Sequence, residues 1–236
     1  MPLEYADREE LFSDGLTDLA NWHHEGVGTM ELLPGGGMRL HCLGSRQGEE
    51  ACLAFFRPDL PDRVAVSYDI IIHSHGGLVI NYIALRGLKG EDVIRDSDRL
   101  ESRTGVMKNY YAAKWGLQSY HLSFSRFNDR GMHTNTSNWR RNPGARLVGH
   151  GDDPVRELGR RYRIRLTKDA GFLQFFVDGA FAHAAVDRDT GRRPIPDYGK
   201  FAFRLVGSDI KADIFGFRVH RIDRHPEVDK NAEDYV

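Results

Sequence analysis

The chain has 236 residues, with 33 Lys and Arg against 34 Asp and Glu and a net charge of −1 with His neutral. That balance excludes a polycation built for nucleic acid or an acidic membrane surface, and leaves room for a local patch. A chain this long buries a sizeable core without a disulfide or metal staple.

The N-terminus "MPLEYADREELFSDG" is charged and lacks the apolar stretch of a secretion signal, and no apolar run approaches the roughly 20 residues of a membrane span. The expectation is a soluble, cytoplasmic protein. In chain order, "REELF" is short enough for one turn of helix. "WHHEG" brings Trp22, His23, His24 and Glu25 between two turn signals; it reads as a structural Trp with a hydrogen-bonded Glu, or as a Glu beside His able to do acid/base work. Cys42 and Cys52 are read as two buried thiols, the alternative being a cross-strand pair around "LGSRQGEEA".

"RVAVSYDIII" alternates and puts Val64, Val66, Tyr68 and Ile70 on one face. His73 and His75 follow, with Gly76-Gly77 marking a hairpin end; two imidazoles on one strand face suggest a metal, but no third ligand is near. "LVINYIALRG" is the next strand and offers either Asn81 or Tyr82 to one side, not both. In "SYHLSFSRF", Tyr120, Leu122 and Phe124 share one face with Arg126, and His121, Ser123 and Ser125 share the other. "RYRIRLTKDAGFLQFFVDGAFAHAAVD" alternates twice, through Tyr162, Ile164 and Leu166 and then Leu173, Phe175 and Val177. Its Asp178-Gly179 is a tight hairpin signal. "GKFAFRLVGSDIKADIFGFRVHRID" supplies two more strands. The pattern predicts an all-β fold, an antiparallel two-sheet β-sandwich of the jelly-roll kind. Residues 1–224 form one domain in this reading, and residues 225–236 a polar tail.

"LFSDGLTDLANWHHEG" resembles the opening of concanavalin A-like carbohydrate proteins. With "GLVINYIALRGLKGED", "RTGVMKNYYAAKWGLQSYHLSFSRF" and "TNTSNWRRNPGARLVGHGDD", the chain from Leu11 to Val219 resembles the YesU-like family of bacterial proteins. The resemblance implies a concanavalin A-like jelly roll. It also implies a carbohydrate context, since members tend to be encoded among genes for using plant cell-wall and related polysaccharides. In such a fold one sheet is concave and open, and its face is the usual ligand groove.

The local charge is uneven between Arg103 and Arg146. Arg103, Lys108, Lys114, Arg126, Arg130, Arg140, Arg141 and Arg146 face one acid, Asp129. Tyr110, Tyr111, Trp115, Tyr120 and Trp139 are interleaved. Guanidinium forks match carboxylates, amides serve sugar hydroxyls, and flat rings stack on a pyranose. The reading is a groove for acidic oligosaccharide, with Arg103, Tyr110, Arg126, Asn138, Arg141 and Asn81 binding substrate. The alternative is a solvated polar loop at the sandwich edge. As an enzyme, the chain would carry out β-elimination next to a uronate, with Arg140, Arg141 or Asn138 on the carboxylate and His121 or Tyr111 as base; hydrolysis with Glu25 as acid stays open. As a lectin-like protein it would bind without turnover. No cofactor is called for; a structural calcium ion on Asp14 and Asp213 is a weaker expectation. Partners are an oligosaccharide, with neither nucleic acid nor membrane.

Overall fold

The computed structural model describes residues 2–45, 50–96, 105–107, 110, 116–188 and 194–225. The named elements are strands β1 (Asp7–Asp14), β2 (Trp22–Gly26), β3 (Gly28–Leu32), β4 (Met38–Cys42), β5 (Ala51–Phe56), β6 (Val64–Ile72), β7 (Gly77–Gly87), β8 (Leu117–Phe124), β9 (Thr136–Asn142), β10 (Arg146–Asp152), β11 (Arg161–Asp169), β12 (Phe172–Val177), β13 (Ala180–Val186), β14 (Lys200–Gly207) and β15 (Ile210–Ile222). They form two antiparallel sheets. The eight-stranded sheet runs β13-β12-β11-β6-β15-β4-β3, with β1 also on β15; the seven-stranded sheet runs β10-β9-β8-β7-β14-β5-β2.

The period-two strands bury their apolar faces between the sheets. Val64, Val66, Tyr68, Ile70, Tyr162, Ile164, Leu166, Leu173, Phe175 and Val177 enter this core from one side. Tyr120, Leu122, Phe124, Trp139, Phe203 and Leu205 enter from the other. The arginines between the apolar residues of β11 face solvent, where Arg161 and Arg163 meet Asp69. Asp178 and Gly179 both have positive φ, at 54° and 81°, as a tight hairpin turn requires.

Several local expectations change. "REELF" is part of β1, because it pairs along the second half of β15. Gly76-Gly77 is a crossing between sheets and not a hairpin end: β7 pairs with β8 and β14, while β6 pairs with β11 and β15. Cys42 and Cys52 lie in different sheets and not on paired strands, and both are free and buried. The polar tail lies outside the described residues apart from its first, His225, whose backbone donates to Asp169.

Candidate functional site

The outer face of the seven-stranded sheet collects the polar alternates of its strands. On β8 these are Ser119, His121 and Ser123, as the alternation with the core residues Tyr120, Leu122 and Phe124 predicts. On β9 their partners in register are Asn142, Arg140 and Asn138. Tyr82 of β7 stands opposite His121, with ring centroids 5.3 Å apart. Beyond β9, the sheet ends at β10, where Leu147 is opposite Arg140 and His150 opposite Asn138. Leu147 and His150 are exposed and Arg140 is half-buried, so the face opens to solvent along β10, while Ser119, His121, Ser123, Asn138 and Asn142 beside it are buried.

Hydrogen bonds fix the polar groups. Asn142 Nδ2 donates to Ser119 Oγ at 2.9 Å and to His121 Nδ1 at 2.8 Å. Arg140 Nη1 donates to the Ala145 carbonyl at 2.6 Å. Arg126, at the end of β8, donates from Nη1 to Thr136 Oγ1 at 3.1 Å. With its amide oxygen turned that way, Asn138 accepts from the same Nη1 at 2.8 Å. Burial pushes the His121 imidazole down to about 3, helped by the charges of Arg204 and Arg140. The ring is therefore neutral at physiological pH.

The middle of the face is covered, which departs from the expected open groove. Leu53, Phe55, Ile80, Tyr82 and Ala202 form a second apolar layer there, and Val93, Met107 and Tyr110 from the connection between β7 and β8 pack on it. Lys200 anchors this cover through Asp92, at 2.8 Å. Asp92 in turn accepts from the backbone of Ile94 and Arg95, closing a turn. Gly105 has φ +82°, and a Cβ there would come 2.3 Å from the Ala51 carbonyl oxygen. Only glycine fits that approach.

Glu25 lies on the same face but at the other end. Its Oε1 is 2.9 Å from His23 Nε2, and its Oε2 accepts from Tyr110 Oη at 2.9 Å. Four strand spacings separate β2 from β8, roughly 19 Å. His121 and Glu25 therefore do not share a reaction centre.

Of the sequence-derived residues, His121, Arg140, Asn138 and Arg126 come together; Glu25 and Tyr110 form a separate group. Arg141 does not face the groove. It is on the inner side of β9, where its Nη1 donates to Asp187 at 2.8 Å and its Nη2 to the Pro194 carbonyl at 2.7 Å. Tyr120 and Arg146 share the same buried Asp187. Asn81 is also inside, fully buried, and accepts from Tyr68 Oη, so Tyr82 is the residue that β7 turns outward. Arg103 and Tyr111 lie outside the described residues, as do Lys108, Lys114 and Trp115.

Arg204 and Ser119 escaped the sequence reading, and Asn142 stood out there only as one of several amides in a donor-rich segment, with no role of its own. Alternation through "KFAFRLVG" was the available signal: Phe201, Phe203 and Leu205 face the core, which turns Arg204 outward.

The proposed metal ligands are engaged elsewhere. His73 Nε2 lies 2.8 Å from Asp213, while the His75 ring packs on Phe127 at 4.5 Å between centroids. Asp213 holds Arg39 with both oxygens. Asp14 accepts from Trp22 Nε1 and the Leu16 backbone. Among the described residues no group of three or more metal-ligating side chains gathers.

A family model described as a domain of unknown function (DUF1961) matches residues 8–218. The "Uncharacterized protein YesU" of Bacillus subtilis (strain 168) is 29% identical over 215 residues, covering 88% of this chain and 92% of its own. A crystal structure from Bacillus subtilis, of a protein of unknown function with a galectin-like fold, superposes with a TM-score of 0.82 at 25% identity. That match covers 94% of this chain and 100% of the other. The carbohydrate binding module CBM66 from Bacillus subtilis superposes with a TM-score of 0.55 at 11% identity, over 86% of this chain and 97% of its own. At that identity the likeness is one of fold.

Proposed function

The chain belongs to the DUF1961 family, and from that premise and the geometry of the seven-stranded sheet we propose that it binds an acidic oligosaccharide. The binding place is the β8–β9–β10 end of the outer face. One observation carries the reading: in register across three strands, His121, Arg140 and Asn138 lie beside the exposed Leu147 at the open end. Arg140 supplies charge for a uronate, the Asn138 amide nitrogen keeps one hydrogen for a hydroxyl beyond the one on the Ser137 carbonyl, and Leu147 supplies apolar surface for a ring face. CBM66, by its name a carbohydrate binding module, has the same fold. That supports the plausibility of a sugar site on this scaffold, while the site itself rests on the side chains.

Binding without turnover fits these side chains better than elimination. A base must accept a proton, and His121 is held far below its ordinary range with Nδ1 already accepting from Asn142. Both features argue against His121 as the base; Tyr111, the other candidate base, lies outside the described residues. Hydrolysis with Glu25 as acid is a separate reading at the other end of the face, where Glu25 is held by His23 and Tyr110.

The test is calorimetric titration of the protein with uronate-containing and neutral oligosaccharides, alongside absorbance near 235 nm (about where unsaturated uronates absorb). Saturable binding with flat absorbance and no new reducing ends is the expected result. Absence of binding across the panel overturns the proposal, and rising absorbance restores a lyase.

A further inference from the structure

Asn142 ends β9 on the outer face, opposite Ser119, and is 1% exposed. An amide nitrogen carries two hydrogens. Both are used within this sheet, one on Ser119 Oγ at 2.9 Å and one on His121 Nδ1 at 2.8 Å. The amide oxygen is buried without a donor among the described residues. Turning the amide over would leave its two hydrogens in that place instead. Orphaned buried N–H groups are rarer than under-satisfied carbonyls, so the nitrogen-inward orientation is the favoured one.

A ring nitrogen that accepts carries no hydrogen, and a neutral imidazole has one to place. It therefore sits on Nε2. We propose that Asn142 is a positioning residue that holds His121 as its Nε2–H tautomer, so that this end of the face takes a ligand oxygen with no proton to give. The inference rests on the reading of this face as a saccharide site. It names the part of the saccharide held there: a carboxylate or a sulfate ester.

The surroundings agree. Arg140 of β9 is directly opposite His121, and Arg204 of β14 depresses the imidazole through its charge. Guanidinium groups donate and do not accept. Tyr82 packs against the imidazole from β7. Burial and the two arginines keep the imidazole neutral, so tautomer rather than charge decides what Nε2 offers. With the proton on Nδ1 instead, Nε2 would accept and would repel a carboxylate.

The direct test needs no variant. Long-range 15N–1H spectra of the full-length protein at neutral pH should show His121 Nε2 protonated and Nδ1 bare; a proton on Nδ1 overturns the inference. In Asn142→Asp, a carboxylate in place of the amide should draw the proton to Nδ1 and move the His121 titration upward. Affinity for a uronate oligosaccharide and for a sulfated one, titrated separately, should fall tenfold or more. An unmoved His121 titration in a folded Asn142→Asp protein also overturns it. A neutral oligosaccharide bound by wild type as tightly as either acidic one removes the selectivity. If the wild-type tautomer is as expected and no saccharide binds, the positioning role stands and the saccharide reading falls. Saccharide binding with Nδ1 protonated gives the reverse.

Discussion

Arg140 and Arg141 are neighbours in sequence and stand on opposite faces of β9. Arg140 pairs in register with His121 on the outer face, while Arg141 reaches the buried Asp187 at 2.8 Å on the inner one. Asp187 follows β13 of the other sheet, so Arg141 ties the two sheets together. Removing one partner of such a buried pair costs about 3–5 kcal/mol. Arg141→Ala should lower unfolding stability toward that range in a denaturant titration, its full cost offset by Arg146 and Tyr120, which stay on Asp187 at 2.6 and 2.8 Å. Arg140→Ala loses a contact to the Ala145 carbonyl and should cost at most about 1.5 kcal/mol, yet weaken acidic saccharide tenfold or more. Equal loss of stability in the two variants would contradict this division.

Asp92 and Lys200 hold the cover of the outer face in place. Burial alone would raise the Asp92 carboxyl, but the Lys200 hydrogen bond and the backbone of Arg95 and Ile94 outweigh it and hold it at about 2. A carboxyl depressed below its ordinary value stabilises the fold above that ordinary value, and the benefit disappears as pH falls toward 2. Asp92→Asn should therefore destabilise at pH 7 and differ little from wild type near pH 2. Amide hydrogen exchange in residues 88–96 should rise first, since that segment loses its anchor before the inter-sheet core is touched. A uniform rise across both sheets would show instead that the cover has no independent stability.

Much of this arrangement was written in the period of two. "RVAVSYDIII", "SYHLSFSRF" and "RYRIRLTKDAGFLQFFVDG" each declare one apolar face, and each buries that face. "LVINYIALRG" declares none, because β7 is buried on both sides by core and cover. Asn81 misled for that reason: an amide within an apolar run looks like an outward residue, yet it meets Tyr68 across the core. The excess of arginine between Arg103 and Arg146 marked the right region without separating Arg140 from Arg141. That separation depends on which of two adjacent side chains finds Asp187, a residue about 46 positions away and in the other sheet, and long-range ion pairs leave no local pattern. Glu25 and His121 likewise share a sheet face whose width the sequence does not state.

Acid should destabilise this protein well above the range where carboxylates titrate. Burial is the first cause that lowers both His121, to about 3, and His183, to about 4. In the unfolded chain both imidazoles return to about 6.5. Below that value the unfolded state binds more protons than the folded one, so stability falls as pH drops from 6.5 toward 4 and 3. His133 works in the opposite sense. Burial lowers it, but the hydrogen bonds to Asp153 and Asn135 win and raise it, so its contribution is present below 6.5 and fades as pH rises through its folded value. His24 is lowered by burial as well, so three lowered imidazoles against one raised leave a net loss on acidification. Urea unfolding at pH 7, 6, 5 and 4.5 should show a steady decline in midpoint. The decline should be shallower in His121→Gln, which keeps a polar side chain beside Asn142 and removes the titration. A midpoint independent of pH across that interval would mean that neither buried imidazole stays neutral in the folded protein.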